Sequence, residues 1–316
     1  MPQPETAAAF YLALQRLQLL LIGAGRYAWS QIGADFDPGW DRIAPALLAV
    51  TAAAQQRAAA EAASYVPAVL EELGQPDQPD GELRPRAFGG TAADGRTLDG
   101  LLFGAVTTTK TAVGTGQPVP EALAIGGRWL DGTLSTVVSD AGRQAAGAAV
   151  AQRRNMGWVR MVNPPCCSRC AILAGRWYRW SEGFSRHKRC DCVHIPTAED
   201  SADDVRTDPQ ALLDQGLITD LSQAQGRAIA DGADFARVIN ADRGMYTTTV
   251  FGRRVQATTE ATTARGAGRD LGDLTKLAEQ RYRRSSVVRL TPESIYELAA
   301  DREDAVRLLR RNGYIT

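Results

Sequence analysis

Cys166-Cys167-Ser168-Arg169-Cys170, followed by His187-Lys188-Arg189-Cys190-Asp191-Cys192-Val193-His194, holds every cysteine and both histidines of the 316-residue chain. The spacing is C-C-x2-C-x16-H-x2-C-x-C-x-H. A C-x2-C turn lets two thiolates converge on one ion, and a second short turn returning from a hairpin supplies the other half of a tetrahedron. Zinc is the natural occupant, because it accepts mixed sulfur and imidazole ligands without redox demands. The expected ligands are Cys167, Cys170, His187 and Cys190, with Cys192 as the substitute for Cys190. Cys166 and His194 rank below these. Four protein ligands leave no open position for water, so such a zinc is structural and not catalytic. Nearby Arg169, Arg176, Arg186 and Arg189 are expected to offset part of the thiolate charge. The plainer reading is a group of reduced cysteines packed as small hydrophobes.

The flanks of this cluster alternate like strands. Trp158-Val159-Arg160-Met161-Val162 is one, stopped by Asn163-Pro164-Pro165, and Trp177-Tyr178-Arg179-Trp180 is a second. Together they predict a hairpin platform around the first cysteine pair.

Upstream, the pattern is helical. Phe10, Leu14, Leu17 and Leu21 form one stripe. Asp37-Pro38 reads as an N-cap followed by proline at the first helical position. From there Trp40, Ile43, Leu47 and Val50 share a face, with Pro45 and Pro67 as places where the helix could kink or divide, and Gly74 as its stop. Residues 75–96 are turn formers and charge, a loop. Helix resumes near Leu98, and Leu130, Leu134, Val137, Ala141, Ala145 and Ala148 keep the helical period between Glu121 and Arg154.

Downstream, Asp208-Pro209 caps a short helix carrying Leu212 and Leu213, and Asp220 is the expected cap of another carrying Ala224 and Ile229. Residues 244–268 predict an extended arm, with weak strand character near Val250 and Phe251. Thr291-Pro292-Glu293 starts a helix, and Asp301 to Arg311 forms the last one, stopped by Asn312-Gly313. The reading is a mainly α chain in three parts: helices over 1–154, a zinc knuckle over 155–196, and short helices with an arm over 197–316.

Net charge is zero, but it alternates in sign. It is −5 over residues 1–150, +7 over 151–192, −6 over 193–250 and +4 over 251–316. Such alternation suits docking onto a charged surface. The +7 segment could meet phosphates of nucleic acid without sequence readout. No secretory signal is visible, since the apolar stretch from Phe10 to Ala24 follows Glu5 and is interrupted by Arg16. That stretch reads as too short and too amphipathic to span a bilayer. No H-E-x-x-H, G-x-x-x-x-G-K-[ST] or G-x-S-x-G occurs, and with His187 on metal only His194 remains for acid–base chemistry.

The run from Trp158 through Pro165-Cys-Cys-Ser-Arg-Cys-Ala-Ile-Leu-Ala-Gly-Arg-Trp-Tyr, then Gly183-Phe-Ser-Arg-His-Lys-Arg-Cys-Asp-Cys-Val-His-Ile-Pro, resembles phage head-morphogenesis proteins of the MuF-like minor capsid type. Their shared signature is C-x2-C followed by H-x2-C-x-C. The likeness extends through Thr247-Thr-Thr-Val-Phe-Gly-Arg-Arg-Val-Gln-Ala-Thr-Thr-Glu and from Leu290 to Tyr314, covering roughly residues 155–316, and is nearest to proteins of actinobacterial tailed phages. Lys188 departs from it, standing where many relatives carry proline. The resemblance implies a low-copy protein inside the virion head, made in the host cytoplasm and associated with the portal or major capsid protein. Neither a membrane nor a small-molecule substrate is expected as a partner. Similar actinophage proteins are often labelled capsid maturation proteases, which makes a protease the alternative. A zinc-stapled nuclease or DNA-binding packaging protein is the third reading.

Overall fold

The helical period of Phe10, Leu14 and Leu21 produces α1 (Glu5–Trp29), whose inward face also carries Ala7, Gln18, Gly25 and Trp29. The computed structural model describes residues 3–187, 190, 192–250, 252–263, 266–276 and 282–315. Lys188, Arg189 and Phe251, each singled out in the sequence, lie outside the described residues. At 25 residues α1 is longer than its apolar stretch suggested, and by length and composition alone it could cross a membrane. Its inner stripe is instead packed into protein.

Helix α2 (Phe36–Glu72) runs without a break through Pro45 and Pro67. The expected cap was misplaced. Asp35 holds the N-cap position, so Asp37 and Pro38 fall in the first turn, and the Asp37 carboxylate accepts from Lys110 Nζ at 2.6 Å. Gly74 does stop the helix: its φ of +68° lets Gln75 N–H return to Leu70 O and Gly74 N–H to Glu71 O. Within the 75–96 loop, Pro85–Phe88 forms one 3₁₀ turn.

Helices α3 (Leu98–Leu102), α4 (Gly104–Gly114) and α5 (Val119–Ala151) complete the first bundle. Small residues on α5 allow close packing. A Cβ at Gly126 would stand 2.0 Å from Thr109 Oγ1 and 2.9 Å from Ala105 O of α4. A buried polar bridge joins α1 to α5, where Gln18 Nε2 donates to Ser139 Oγ and Ser135 Oγ donates to Gln18 Oε1.

A three-stranded antiparallel sheet of order β2-β1-β3 packs on these helices: β1 (Met156–Met161), β2 (Trp177–Arg179) and β3 (Val193–Ala198). The first two are the expected hairpin. The third was missed because five of its six residues are buried, which leaves no alternation to detect. Its Pro196 is tolerated because β3 is an edge strand. Met156, Met161, Val193 and Ile195 join the helical core, and Tyr65 of α2 stacks on Phe10 at 4.3 Å while its hydroxyl donates to His194 O.

The chain forms two compact units. Residues 1–163 and 174–207 make the first, so the strands expected as a separate 155–196 module belong with the helices. The second comprises residues 164–173 and 208–316. It holds α6 (Ser168–Ala174), α7 (Pro209–Asp214), α8 (Gln223–Ala230), α9 (Phe235–Asn240), α10 (Gly268–Leu271), α11 (Pro292–Leu298) and α12 (Arg302–Arg311). Here Asp208 caps α7 as expected, but α8 is capped by a Ser222/Gln225 capping box and not by Asp220. The expected extended arm is a regular hairpin, β4 (Met245–Val250) with β5 (Arg253–Thr258). The short pair β6 (Leu274–Thr275) and β7 (Arg284–Ser285) follows, and β8 (Arg289–Leu290) extends the hairpin. Buried Arg289 donates to Asn312 O and Glu260 O and lies over the Tyr314 ring, which anchors the last turn.

Asp231 ties α8 to α11 and α12, accepting from Tyr296 Oη and Arg302 Nε, each at 2.7 Å. Burial pushes its carboxyl pKa up, but those two donors outweigh burial and hold it below the usual 3.8. A depressed folded-state pKa stabilises fully above pH ~4 and ceases to stabilise as pH falls through the folded value. Asp231→Asn is therefore expected to cost about 2 kcal/mol at pH 7 and progressively less as pH falls below about 4. Thermal melts of both chains across that range check it.

Candidate metal centre

The five cysteines are all thiols, with no disulfide among them. Two triads of donors stand close together. The ligand atoms of Cys167, Cys170 and His187 lie within 4.8 Å of one another, and so do those of Cys170, Cys190 and Cys192. Cys170 belongs to both. Thiolates around one tetrahedral zinc stand about 3.8 Å apart. Cys166 and His194 fall in neither triad. Cys190 and Cys192, between which spacing alone did not decide, lie together in the second triad.

Each half of the motif is shaped by its own turn. In the first, Ala171 N–H donates to Cys167 O, and Cys170 N–H points at Cys167 Sγ at 3.3 Å. An N–H aimed at sulfur favours the thiolate form that a metal needs. Asp220, freed from the expected capping role, accepts from Ser168 N–H at 2.6 Å inside this turn. Cys166 is fixed through its backbone, with N–H to Leu217 O and its carbonyl accepting from Thr219 N–H.

In the second half, Cys190 N–H closes a turn onto His187 O. Two buried arginines hold this loop from below. Arg143 of α5 donates from Nη1 to Cys190 O at 2.9 Å and to Cys192 O at 3.1 Å, and from Nη2 to Asp140 at 2.7 Å. Arg160 of β1 points Nη1 at Cys190 Sγ at 3.7 Å and donates from Nη2 to Ser185 O. The Phe184 ring lies 3.9 Å from the Arg160 guanidinium carbon and 5.4 Å from that of Arg143. Among the described residues, Arg143 and Arg160 bring positive charge to the second half of the motif. Arg186 pairs with Asp140, Arg176 reaches Glu182 at 4.0 Å and lies over Tyr178, and Arg169 donates to Asn240. Of the four arginines named from sequence, Arg189 lies outside the described residues, and proximity in sequence gave no signal for Arg143 or Arg160. The relevant one was an arginine at a core position of a helix or strand, where an unpaired charge is too costly to leave.

The donor set fits zinc. Cys170, Cys190 and Cys192 are buried, Cys167 is half-buried and His187 is exposed at the edge. Burial excludes water from the sulfurs, and cations offset the charge of several thiolates.

His194 occupies a different environment. It is 3 % exposed, packed edge-on against Trp158 at 4.4 Å and tilted against Phe184 at 4.6 Å. Burial first, then Arg143 and Arg160, push its pKa down to about 3, so the ring is neutral at pH 7. Its Nδ1 has no hydrogen-bond partner. Among the described residues of the +7 segment, five cations are buried or meet acids. Arg153 and Arg160 are buried, Arg154 pairs with Asp80, and Arg176 and Arg186 meet acids as described.

Purified protein is expected to carry about one zinc per chain, with Cys170→Ser lowering both zinc content and melting temperature while Cys166→Ser keeps the metal. Metal analysis beside thermal melts reads this directly, and a zinc-free chain with an unchanged melt contradicts it. Arg143→Leu leaves Asp140 short of a partner and the cysteine carbonyls without a donor. It should destabilise the fold by about 3 kcal/mol and weaken zinc binding by roughly 10–100-fold in a chelator competition.

Comparison with protein-family models, with curated proteins and with solved structures finds no match to this chain.

Proposed function

We propose that this protein is a minor structural component of a tailed-phage head, stapled by one structural zinc and held at the portal or the inner capsid surface. The observation that carries the structural part is the double triad around Cys170, which offers five protein donors to an ion that takes four. A site saturated by protein has no position for a substrate or an attacking water, so its ion acts on stability and not on chemistry. The phage assignment is supported by the C-x2-C…H-x2-C-x-C signature and its flanking residues.

The environment of His194 weighs against the two enzymatic alternatives. A general base needs a pKa near the working pH and access to a substrate proton. A ring almost wholly buried, with its pKa near 3, has neither. Contact with packaged DNA is a lesser element of the proposal, because Arg153 and Arg160 are buried and Arg154, Arg176 and Arg186 meet acids.

Quantitative mass spectrometry of purified particles tests the assignment. The expected result is the full-length chain at a few copies per head. Absence from particles, or presence only as fragments beside processed capsid protein, would favour the protease.

A further inference from the structure

Helix α1 carries a second stripe, opposite the buried one. Leu12, Leu19, Leu20 and Tyr27 are 51, 70, 73 and 74 % exposed, and Arg16 and Gly23 lie exposed among them. These four apolar side chains present roughly 500 Å² to solvent, a large patch for a monomeric protein. The stripe is symmetric about the point between Leu19 and Leu20. Leu19 and Leu20 are equally distant from it, as are Arg16 and Gly23, and Leu12 and Tyr27.

We infer that α1 pairs antiparallel with α1 of a second copy, about a twofold axis through that midpoint. Residues equidistant from such an axis face one another, and a twofold interface must be self-complementary. Leu19 then meets Leu20 of the other copy, and Leu12 meets its Tyr27. Arg16, the longest side chain, lies over Gly23, where an added Cβ would find nothing within 4 Å. The arginine stem covers that gap while its head reaches solvent. The two Arg16 positions lie on either side of the twofold, about 10 Å apart along the helices, far enough for salt to screen them. Doubling the patch gives roughly 1,000 Å² from these side chains alone, the threshold for a specific interface.

A bilayer fits this face less well. Arg16 sits in mid-stripe, where a membrane disfavours it. The opposite face of the same helix is tied into protein through Gln18, Ser135 and Ser139.

The inference is independent of the zinc centre, and sedimentation of the full chain tests it. Wild type should be dimeric at roughly 10–50 µM. Leu19→Gln/Leu20→Gln should be monomeric with an unchanged thermal melt. Gly23→Leu provides a second, apolar variant that improves helix propensity at an exposed position where an added Cβ meets nothing within 4 Å. It should melt no lower than wild type yet dimerise at least tenfold more weakly, because it fills the space Arg16 needs. Three outcomes overturn the inference: wild type that stays monomeric to roughly 100 µM, a dimer indifferent to Gly23→Leu, or a monomer that binds phosphatidylglycerol vesicles instead.

Discussion

Arg143 donates from one guanidinium nitrogen to the carbonyl oxygens of both Cys190 and Cys192, while Asp140 holds the other nitrogen. The centre depends on this buried contact. Residues 180–192 have no regular structure of their own among those described, and a loop of that kind does not hold donor atoms still unaided. A long helix supplies the rigidity. Asp140 and Arg143, three residues apart on α5, form a 2.7 Å ion pair 9 % and 3 % exposed at the side chain, and the pair fixes the carbonyls of Cys190 and Cys192 and the side chain of Arg186. Arg160 does the same from the sheet, so helix and strand both fix the loop.

The rest of the first unit packs around α5 and buries it. Its glycines and alanines let α1, α2 and α4 approach closely, and the Gln18 bridge adds direction to an otherwise apolar contact. Tyr65, stacked on Phe10 and bonded to His194 O, carries the same order from the helices into β3. Trp158 completes it by stacking on Tyr178 at 4.2 Å and on Phe184 at 5.0 Å. In this setting His194 is a core residue, neutral and enclosed.

Long periodic elements were legible in the sequence. The stripe of α1, the extent of α5, the glycine stop of α2 and the capped start of α7 all follow from local chemistry that one segment carries by itself. So does the grouping of cysteines, because thiols this close in sequence have few other uses. What could not be read depended on distant partners. β3 lacks alternation because both its faces are covered, and Asp220 serves the Cys167 turn across 52 residues of chain instead of capping its neighbour. Residues 244–268 looked like an arm because threonine and glycine signal little until a partner strand is present. The cations near the thiols were missed for the same reason: Arg143 and Arg160 are remote in sequence and adjacent in space.

X-ray absorption at the zinc edge of the purified full-length chain tests the central claim most directly, since it reports which atoms surround the ion. The account predicts a four-coordinate zinc with three or four sulfurs at about 2.3 Å and at most one imidazole nitrogen. A zinc surrounded mainly by oxygen, or a well-folded chain with no zinc edge at all, would contradict it.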